Sequence, residues 1–289
     1  MALPNNGAIK IIECPRDAMQ GWQHFITTED KIRYLNSLLQ VGFDILDFGS
    51  FVSPKAIPQM RDTKEVIPHL DLSITATKLL AIVANLRGAE EAVQYDEITY
   101  LGFPFSISLT FQLRNTNSTI EQSLQTVEAI QRLCLKHRKT LVIYLSMGFG
   151  NPYNDEYNAD ILLQYADEMV QRNVHIISLA DTVGLATPEQ IYFALNTLIP
   201  QYSNVEFGVH LHTTATNYKY KLQAALEAGC SRFDGALKGI GGCPMAQDAL
   251  VGNMPTEKMI YFFEQQAIPT YINKQALAES MAIASEIFV

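Results

Sequence analysis

The chain has 289 residues, 48% of them hydrophobic, and its 30 acidic residues outnumber 21 basic ones to give a formal net charge of −9. This size suits one large α/β domain without a linker, and the acidic balance argues against nucleic acid as a partner, because nucleic-acid binding needs a basic surface. The N-terminus has no signal-peptide pattern and no apolar run is long enough to span a bilayer, so we expect a cytoplasmic protein with no membrane partner.

Short apolar runs alternate with segments of helical period along the chain. The runs are rich in β-branched and aromatic side chains, which predicts buried strands. The predicted strands cover residues 9–13, 43–48, 79–84, 97–105, 140–147, 174–179, 205–213 and 231–235.

Start and stop signals predict helices between these strands. Thr27 or Thr28 can cap a helix from about residue 28, residues 118–121 form a capping-box pattern for a helix to about residue 137, and residues 187–190 mark another start. The ends of the helix between the second and third strands are not fixed by the sequence. The other predicted helices cover residues 158–173, 218–228, a segment from about 255, and 274–287.

Eight strands alternating with helices predict an α/β fold, a (β/α)8 TIM-type barrel with an additional C-terminal helix. We expect residues 1–289 to form a single catalytic domain, with residues 268–289 as the helical extension. A doubly wound open sheet is the alternative. The barrel is favoured because polar residues recur at strand ends, where a barrel gathers them at one mouth. These residues are Arg16 and Asp17 after the first strand, Asp47 at the second, Asp181 after the sixth and the histidines of the seventh.

Two of these histidines, His210 and His212, are two residues apart on the seventh predicted strand. Their side chains therefore share a face and could bind one divalent ion. The alternative is one buried, hydrogen-bonded histidine and one solvated histidine. Asp17 could meet the pair across the mouth, and Asn253 could add an amide oxygen. Such nitrogen and oxygen ligands without a thiolate favour Mg2+ or Mn2+ over structural Zn2+. Asn253 could instead cap the helix near residue 255, or do both.

Three further residues are candidates for chemistry. Arg16, beside Asp17, could stabilise a developing oxyanion, or it could form only a surface salt bridge. Cys243 lies in the glycine-rich stretch 239–244, which predicts a mobile loop and an accessible thiol that could act as acid, base or nucleophile. Asp181 could orient substrate or a ligand histidine, or it could simply form a turn. The glycine-rich stretch matches no nucleotide-binding pattern.

Five blocks of the sequence, in order over nearly the whole chain, resemble the 3-hydroxy-3-methylglutaryl-CoA lyase family. They are residues 15–20, 50–55, 178–184, 209–213 and 241–257, the last containing Gly-Gly-Cys-Pro, Gly-Asn and Thr-Glu. The resemblance implies metal-dependent retro-Claisen cleavage of 3-hydroxy-3-methylglutaryl-CoA, or a close 3-hydroxyacyl-CoA, to acetoacetate and acetyl-CoA. It also implies an acyl-CoA substrate as partner and a homodimer.

The resemblance assigns roles residue by residue. It implies that Arg16 stabilises the enolate of acetyl-CoA and that Cys243 and His210 transfer protons. Asp181 would assist at the substrate hydroxyl, while Asp47 and Glu257 would support the site. The implied metal ligands are Asp17, His210, His212 and Asn253, and Gln20 and Arg16 are candidate substrate contacts. The sequence does not show which basic residues meet CoA phosphates; Lys55 and Arg87 are candidates, and Arg87 could instead be a solvated charge at a helix start.

The sequence departs from the family pattern around the expected substrate pocket. Asp47 stands where the family usually has Glu, Thr213 where it usually has Asp, and Leu109 where it often has Glu. Met147 and Asn151 lie near positions where the family often has cysteine, and Met245 stands where it usually has an aromatic residue. The metal ligands and Arg16 do not depart, so these differences bear on the acyl group rather than on the reaction class. The alternatives are a Claisen-type condensing enzyme or aldolase of the same barrel family acting on a 2-oxo acid, and a catalytically inactive barrel-fold binding protein. Retention of the whole site set argues against the second.

Overall fold

A computed structural model describes residues 9–242 and 251–289 of the chain. Eight parallel strands form a closed barrel in which each strand pairs with the next and β1 pairs with β8. The predicted barrel is therefore confirmed. The strands are β1 (Lys10–Glu13), β2 (Ile45–Ser50), β3 (Lys78–Ile82), β4 (Ile98–Ser106), β5 (Thr140–Ser146), β6 (Ile176–Asp181), β7 (Glu206–Leu211) and β8 (Arg232–Gly235).

Helices cover the outside of the barrel, so most strands are buried on both faces and consist of nearly continuous apolar residues. The C-terminal helix lies against α2, where Ser280 and Ser37 are hydrogen-bonded at 3.0 Å. The helices are α1 (Pro15–Gln20), α2 (Thr28–Leu39), α3 (Thr63–Val66), α4 (Leu86–Ala92), α5 (Leu109–Thr116), α6 (Ile120–His137), α7 (Ala159–Gln171), α8 (Pro188–Gln201), α9 (Tyr218–Glu227), α10 (Thr256–Gln265) and α11 (Lys274–Ile287).

Alternation along the strands divides the apolar residues into two groups. Inward-facing side chains fill the barrel, among them Ile12, Leu80, Val142 and Ile176. Outward-facing side chains form the larger core beneath the helices. The interior also contains polar side chains, both at the mouth, where Asp17 and His212 lie, and along β8, where Arg232 and Asp234 lie.

Several element boundaries differ from the predictions. The capping box of α6 pairs Thr119 with Gln122, one residue later than expected, whereas that of α8 pairs Thr187 with Gln190 as predicted. Between β2 and β3, where one helix was expected, the chain forms 3-10 turns and the short helix α3. Pro58 and Pro68 lie in this segment, and proline interrupts longer helices.

Three helices, α1, α4 and α5, are not predicted from the sequence. Each has eight residues or fewer, too short to display a repeating apolar stripe. The correction for α1 matters most, because Arg16 and Asp17 belong to a buried helix rather than to a loop. None of the helices within the described ranges is both long and apolar enough to cross a membrane.

Candidate active site

A cavity of about 360 Å3 opens at the mouth of the barrel. Its polar side is formed by residues of α1 and the end of β7. The opposite side is apolar and comes from the ends of β2, β3 and β4 and from α5. The polar residues are Arg16, Asp17, Gln20, His210 and His212, and the apolar ones include Val52, Ile57, Ile82, Ala84, Pro104 and Phe111.

The predicted metal ligands come together at the polar side. Asp17, His210 and His212 each offer one ligand atom, and these atoms lie within 4.8 Å of one another. His210 lies in β7, whereas His212 lies one residue beyond the strand end, in an isolated bridge with Asn253. The two rings are 5.4 Å apart between centroids. The histidines therefore form a pair, as expected, although only one of them is in the strand.

Asn253 completes this group. Its Nδ2 donates to Asp17 Oδ2 at 2.7 Å and to the carbonyl of Ile240 at 2.9 Å. Its Oδ1 is buried and has no hydrogen-bond partner among the described residues, an arrangement that is costly unless another ligand takes the oxygen. Asn253 does not cap α10, because Pro255 occupies the N-cap position.

The four residues fit a hard divalent cation. They offer two imidazole nitrogens, one carboxylate and one orphaned amide oxygen, a donor set suited to Mg2+ or Mn2+. A second group, Cys14 with His210 and Asp234, is also close together. Burial raises the pKa of the Cys14 thiol well above its ordinary value, so the thiol stays protonated and is a poor ligand.

Metal binding requires an ionised carboxylate and neutral imidazoles. The pKa shifts of Asp17 and His212 favour these forms, whereas the raised pKa of His210 favours the protonated ring. Burial tends to raise the pKa of Asp17, but Arg16, the two histidines and Asn253 outweigh it and lower the pKa. Burial, assisted by His210, lowers the pKa of His212 to about 3. For His210, burial lowers the pKa, but Asp234 and Asp17 together raise it.

Arg16 forms a buried ion pair rather than a surface salt bridge. Its Nε donates to Asp47 Oδ1 at 3.2 Å and Oδ2 at 3.0 Å, its Nη2 also contacts Oδ2, and its Nη1 donates to Asp17 Oδ1 at 2.9 Å. Burial raises the pKa of Asp47 to about 6, against the opposing effect of Arg16. Gln20 donates to the same Asp17 oxygen at 2.8 Å. The guanidinium is therefore fixed at the ligand cluster by two carboxylates.

Asp181 is placed behind the cavity rather than in its lining. Its Oδ2 accepts from Lys221 Nζ at 2.6 Å and its Oδ1 from the Ala186 amide at 2.9 Å. Lys221 also donates to the carbonyl of His212 at 2.8 Å. The carboxylate thus acts on the site through Lys221 and the backbone of a ligand.

The other predicted residues lie outside the ligand cluster. Glu257 accepts from the Lys238 amide at 2.9 Å, close to where the glycine-rich stretch begins. Lys55 is exposed between the cavity-lining residues Val52 and Ala56, and Arg87 is exposed in the first turn of α4. Cys243 and Met245 lie outside the described residues.

Asp234 and Lys221 are site residues that are not predicted from the sequence. Asp234 Oδ2 lies 3.3 Å from Nδ1 of His210, and Lys221 ties Asp181 to His212. The alternation on β8 could have indicated Asp234, since it faces inward beside β7. Lys221 carries no comparable signal, because helical lysines are usually solvated.

Comparisons with known proteins identify relatives of this chain. The family model described as HMGL-like matches residues 8–283. The hydroxymethylglutaryl-CoA lyase YngG of Bacillus subtilis is 32% identical over 277 residues, covering 96% of this chain and 91% of that protein. A 3-hydroxy-3-isohexenylglutaryl-CoA/hydroxymethylglutaryl-CoA lyase of Pseudomonas aeruginosa is 29% identical over 97% of this chain and 92% of its own length. A solved HMG-CoA lyase from Acinetobacter baumannii, in complex with coenzyme A and 3-methylmalate, superposes with a TM-score of 0.90 at 30% identity, covering 98% of this chain and 92% of that one.

Proposed function

The chain belongs to the HMGL-like family and is a carbon–carbon lyase of the hydroxymethylglutaryl-CoA lyase type, and on this premise we propose that it cleaves 3-hydroxy-3-methylglutaryl-CoA. The reaction would release acetoacetate and acetyl-CoA and would depend on Mg2+ or Mn2+. The observation that carries the proposal is the buried cluster of Asp17, His210 and His212 beside the orphaned amide oxygen of Asn253. A homodimer in the cytoplasm stays a prediction.

The ion would be held by Asp17, His210, His212 and Asn253, and it would supply Lewis acidity toward substrate oxygens. In the cleavage, a base removes the proton of the C3 hydroxyl and the C2–C3 bond breaks. C3 becomes the ketone carbon of acetoacetate, and the bonding electrons move to the thioester as an enolate that is later protonated at C2. That His210 transfers protons during turnover stays a prediction; like the other ligands Asp17 and His212, it borders the cavity.

Arg16 would stabilise the enolate oxygen. Its guanidinium carries five N–H donors, more than its bonds to Asp47 and Asp17 require, and it borders the cavity. Because both carboxylates fix its position, the charge is in place before the enolate develops. The apolar opposite side would limit the access of water to the enolate before protonation.

Cys243 is proposed as the proton donor or acceptor at C2. It follows Gly241 by two residues, and Gly241 lies so close to the ligand cluster that a Cβ there would come within 2.7 Å of Asn253 Nδ2 and 2.8 Å of the Asp17 carbonyl. We expect Cys243→Ser to lower turnover while leaving metal content unchanged, because a hydroxyl is a far weaker acid than a thiol at this position. Elemental analysis alongside steady-state kinetics checks this, and unchanged turnover would remove the thiol from the reaction.

A larger substituent at C3 is a second candidate for the substrate. The Pseudomonas aeruginosa relative is named for an isohexenyl as well as a methyl substrate, and here the cavity side opposite the ligands is formed by apolar residues that include Val52, Ile82 and Phe111. An alkyl group longer than methyl would bury further apolar surface there. Lys55 and Arg87, both exposed near cavity-lining loops, are proposed contacts for the phosphates of CoA.

The deciding experiment measures acetoacetate and acetyl-CoA released from 3-hydroxy-3-methylglutaryl-CoA by metal-stripped protein, with Mg2+ or Mn2+ restored and again with chelator. We expect cleavage that requires the metal. Protein that binds Mn2+ but releases neither product would contradict the proposed acyl group. The same protein tested with acetyl-CoA and a 2-oxo acid would then reveal a condensing activity through loss of the thioester.

A further inference from the structure

Below the ligand cluster, the barrel interior contains a row of residues with alternating charge that ends at His210. Arg232 Nη1 donates to Glu206 Oε1 at 3.2 Å, and Lys10 Nζ contacts the other oxygen of Glu206. At the upper end, Asp234 Oδ2 lies 3.3 Å from His210 Nδ1. From the base of the barrel upward, this charge row consists of Lys10, Glu206, Arg232, Asp234 and His210.

The strand register explains why these residues are aligned. Lys10 on β1 is paired with Arg232 on β8, and Asp234 on β8 is paired with His210 on β7. Residues two apart on a strand share a face, so Arg232 and Asp234 both face the interior. Arg232 also crosses β7 at Gly208, where an added Cβ would lie 2.7 Å from its Cδ. The lack of a side chain at Gly208 is therefore what lets the arginine lie there.

The charge row is a costly way to fill a barrel. Arg232 is 0% exposed and Asp234 is 2% exposed, and removing each charge from water is unfavourable before pairing. Nε and Nη2 of Arg232 and Oδ1 of Asp234 have no hydrogen-bond partner within the described ranges. Apolar side chains of similar volume would fill the space without this cost. The position of the row points instead to a role at its upper end.

We propose that Asp234 is a positioning residue for the metal site and that Arg232 acts through it. Asp234 accepts a hydrogen bond from Nδ1 of His210, which fixes the tautomer and the ring orientation and leaves the other nitrogen for the ion. Arg232 places a buried positive charge beside Asp234 and so holds the carboxylate in position. This inference rests on the proposed metal-dependent function.

The test is Mn2+ binding to the metal-stripped full chain, measured by calorimetric titration. We expect Asp234→Asn to weaken binding by roughly 10- to 100-fold, the usual effect of losing such a partner of a ligand histidine. Arg232→Met should weaken it by a smaller factor, and the double variant should be no weaker than Asp234→Asn alone, because the arginine acts through the carboxylate. Additive losses in the double variant would contradict that coupling.

A second variant perturbs the charge row without removing a charge. Gly208→Ala places a methyl group against the Arg232 side chain, so we expect it to weaken Mn2+ binding in the same direction as Arg232→Met. This variant also keeps the proposal testable if Arg232→Met does not fold. Wild-type affinity in folded Gly208→Ala would count against a role for the arginine.

The matched control is Asp62→Asn. Asp62 is also buried and is paired with Lys31 Nζ at 2.6 Å, but this pair lies between α2 and the start of α3, outside the barrel. We expect it to lower thermal stability and leave Mn2+ affinity unchanged. Equal weakening by Asp62→Asn, or wild-type affinity in Asp234→Asn, would overturn the inference alone. Absence of Mn2+ binding by the wild-type chain would overturn the proposed function and the inference together.

Discussion

His212, at the barrel mouth, is expected to matter for metal binding and activity but to contribute little to the stability of the fold. It is buried beside His210, outside the main apolar core. We therefore expect His212→Ala to lose most of the bound metal and most activity while the barrel stays folded. Elemental analysis and circular dichroism of the purified variant check both parts. Metal content equal to the wild type would remove His212 from the ligand set.

A histidine outside the site provides the control for this variant. His175 is exposed and lies just before β6. Since it faces solvent away from the ligand cluster, His175→Ala should keep both metal and activity. Metal loss in this control would mean that the bound metal depends on histidines in general rather than on the ligand cluster.

Arg16 requires a different design because it has a buried partner. Removing one member of a buried ion pair typically costs about 3 to 5 kcal/mol of stability, so Arg16→Gln alone would mix folding with catalysis. We expect Arg16→Gln in combination with Asp47→Asn to recover much of that stability yet to cleave about 100-fold more slowly, the usual scale for a lost oxyanion donor. Urea unfolding and turnover at saturating metal separate the two effects. Near-normal turnover of the folded double variant would exclude the arginine from enolate stabilisation.

The sequence identifies residues whose chemistry and local spacing are both distinctive. Asp17, His210 and His212 follow this rule, because strand period and barrel convergence place them together. The pairing of Arg16 with Asp47 depends on how α1 packs against β2, which no local pattern encodes. The alternation on β8 indicates that Asp234 faces inward, but its pairing with His210 depends on the register between β7 and β8, which the sequence does not show.

At the scale of elements, Lys221 of α9 joins the ends of β6 and β7. It donates to Asp181 Oδ2 at 2.6 Å, to the Gly184 carbonyl at 3.2 Å and to the His212 carbonyl at 2.8 Å. We expect Lys221→Met to destabilise the protein by about 3 to 5 kcal/mol, because Asp181 is left buried without its cation. Chemical denaturation measures the loss.

A paired variant checks this explanation. Lys221→Met combined with Asp181→Asn removes the unpaired charge, so it should regain a large part of the lost stability. If the double variant is as unstable as the sum of the single variants, the contribution of Lys221 comes from packing and its carbonyl contacts rather than from the ion pair.

Element type is more predictable here than element boundaries. Strands buried on both faces lack the alternation of apolar and polar residues that would mark their ends. β2, predicted at residues 43–48, begins and ends two residues later, at Ile45–Ser50. Long amphipathic helices such as α6 and α8 are predictable from stripe and cap together. α1 is not, because six residues give less than two turns and nearly all of them are buried.

At the scale of the whole molecule, the buried side chain of Glu13 in β1 makes the stability of the fold depend on pH. Its side chain accepts from the Leu237 amide at 2.8 Å and from Thr256 at 2.5 Å. Burial, opposed by these hydrogen bonds, raises its pKa from 4.5 to about 8. Between those values the folded chain holds a proton that the unfolded chain has lost, so this group lowers stability as pH rises from 4.5 to about 8.

We therefore expect Glu13→Gln to flatten the decline in stability across this window. The decline that the substitution removes should approach about 1.4 kcal/mol per pH unit. The free energy of unfolding of the variant, relative to the wild type, should therefore be highest near the upper end of this pH window. Urea unfolding at a series of pH values measures it, with Glu279→Gln, an exposed position on α11, as control. Parallel curves for wild type and Glu13→Gln would contradict the assignment.

The hydrogen bond between Asp17 and Asn253 joins residues that are 236 positions apart. A ribosome exposes Asp17 early, yet its partner emerges only after the eighth strand has been made, and closing so long a loop is slow. During synthesis the growing chain therefore has no complete ligand set, however much of the barrel has already formed. Acquisition of the ion would thus mark the moment at which the two ends of the chain meet, and a truncated product would be recognisable by its failure to retain metal.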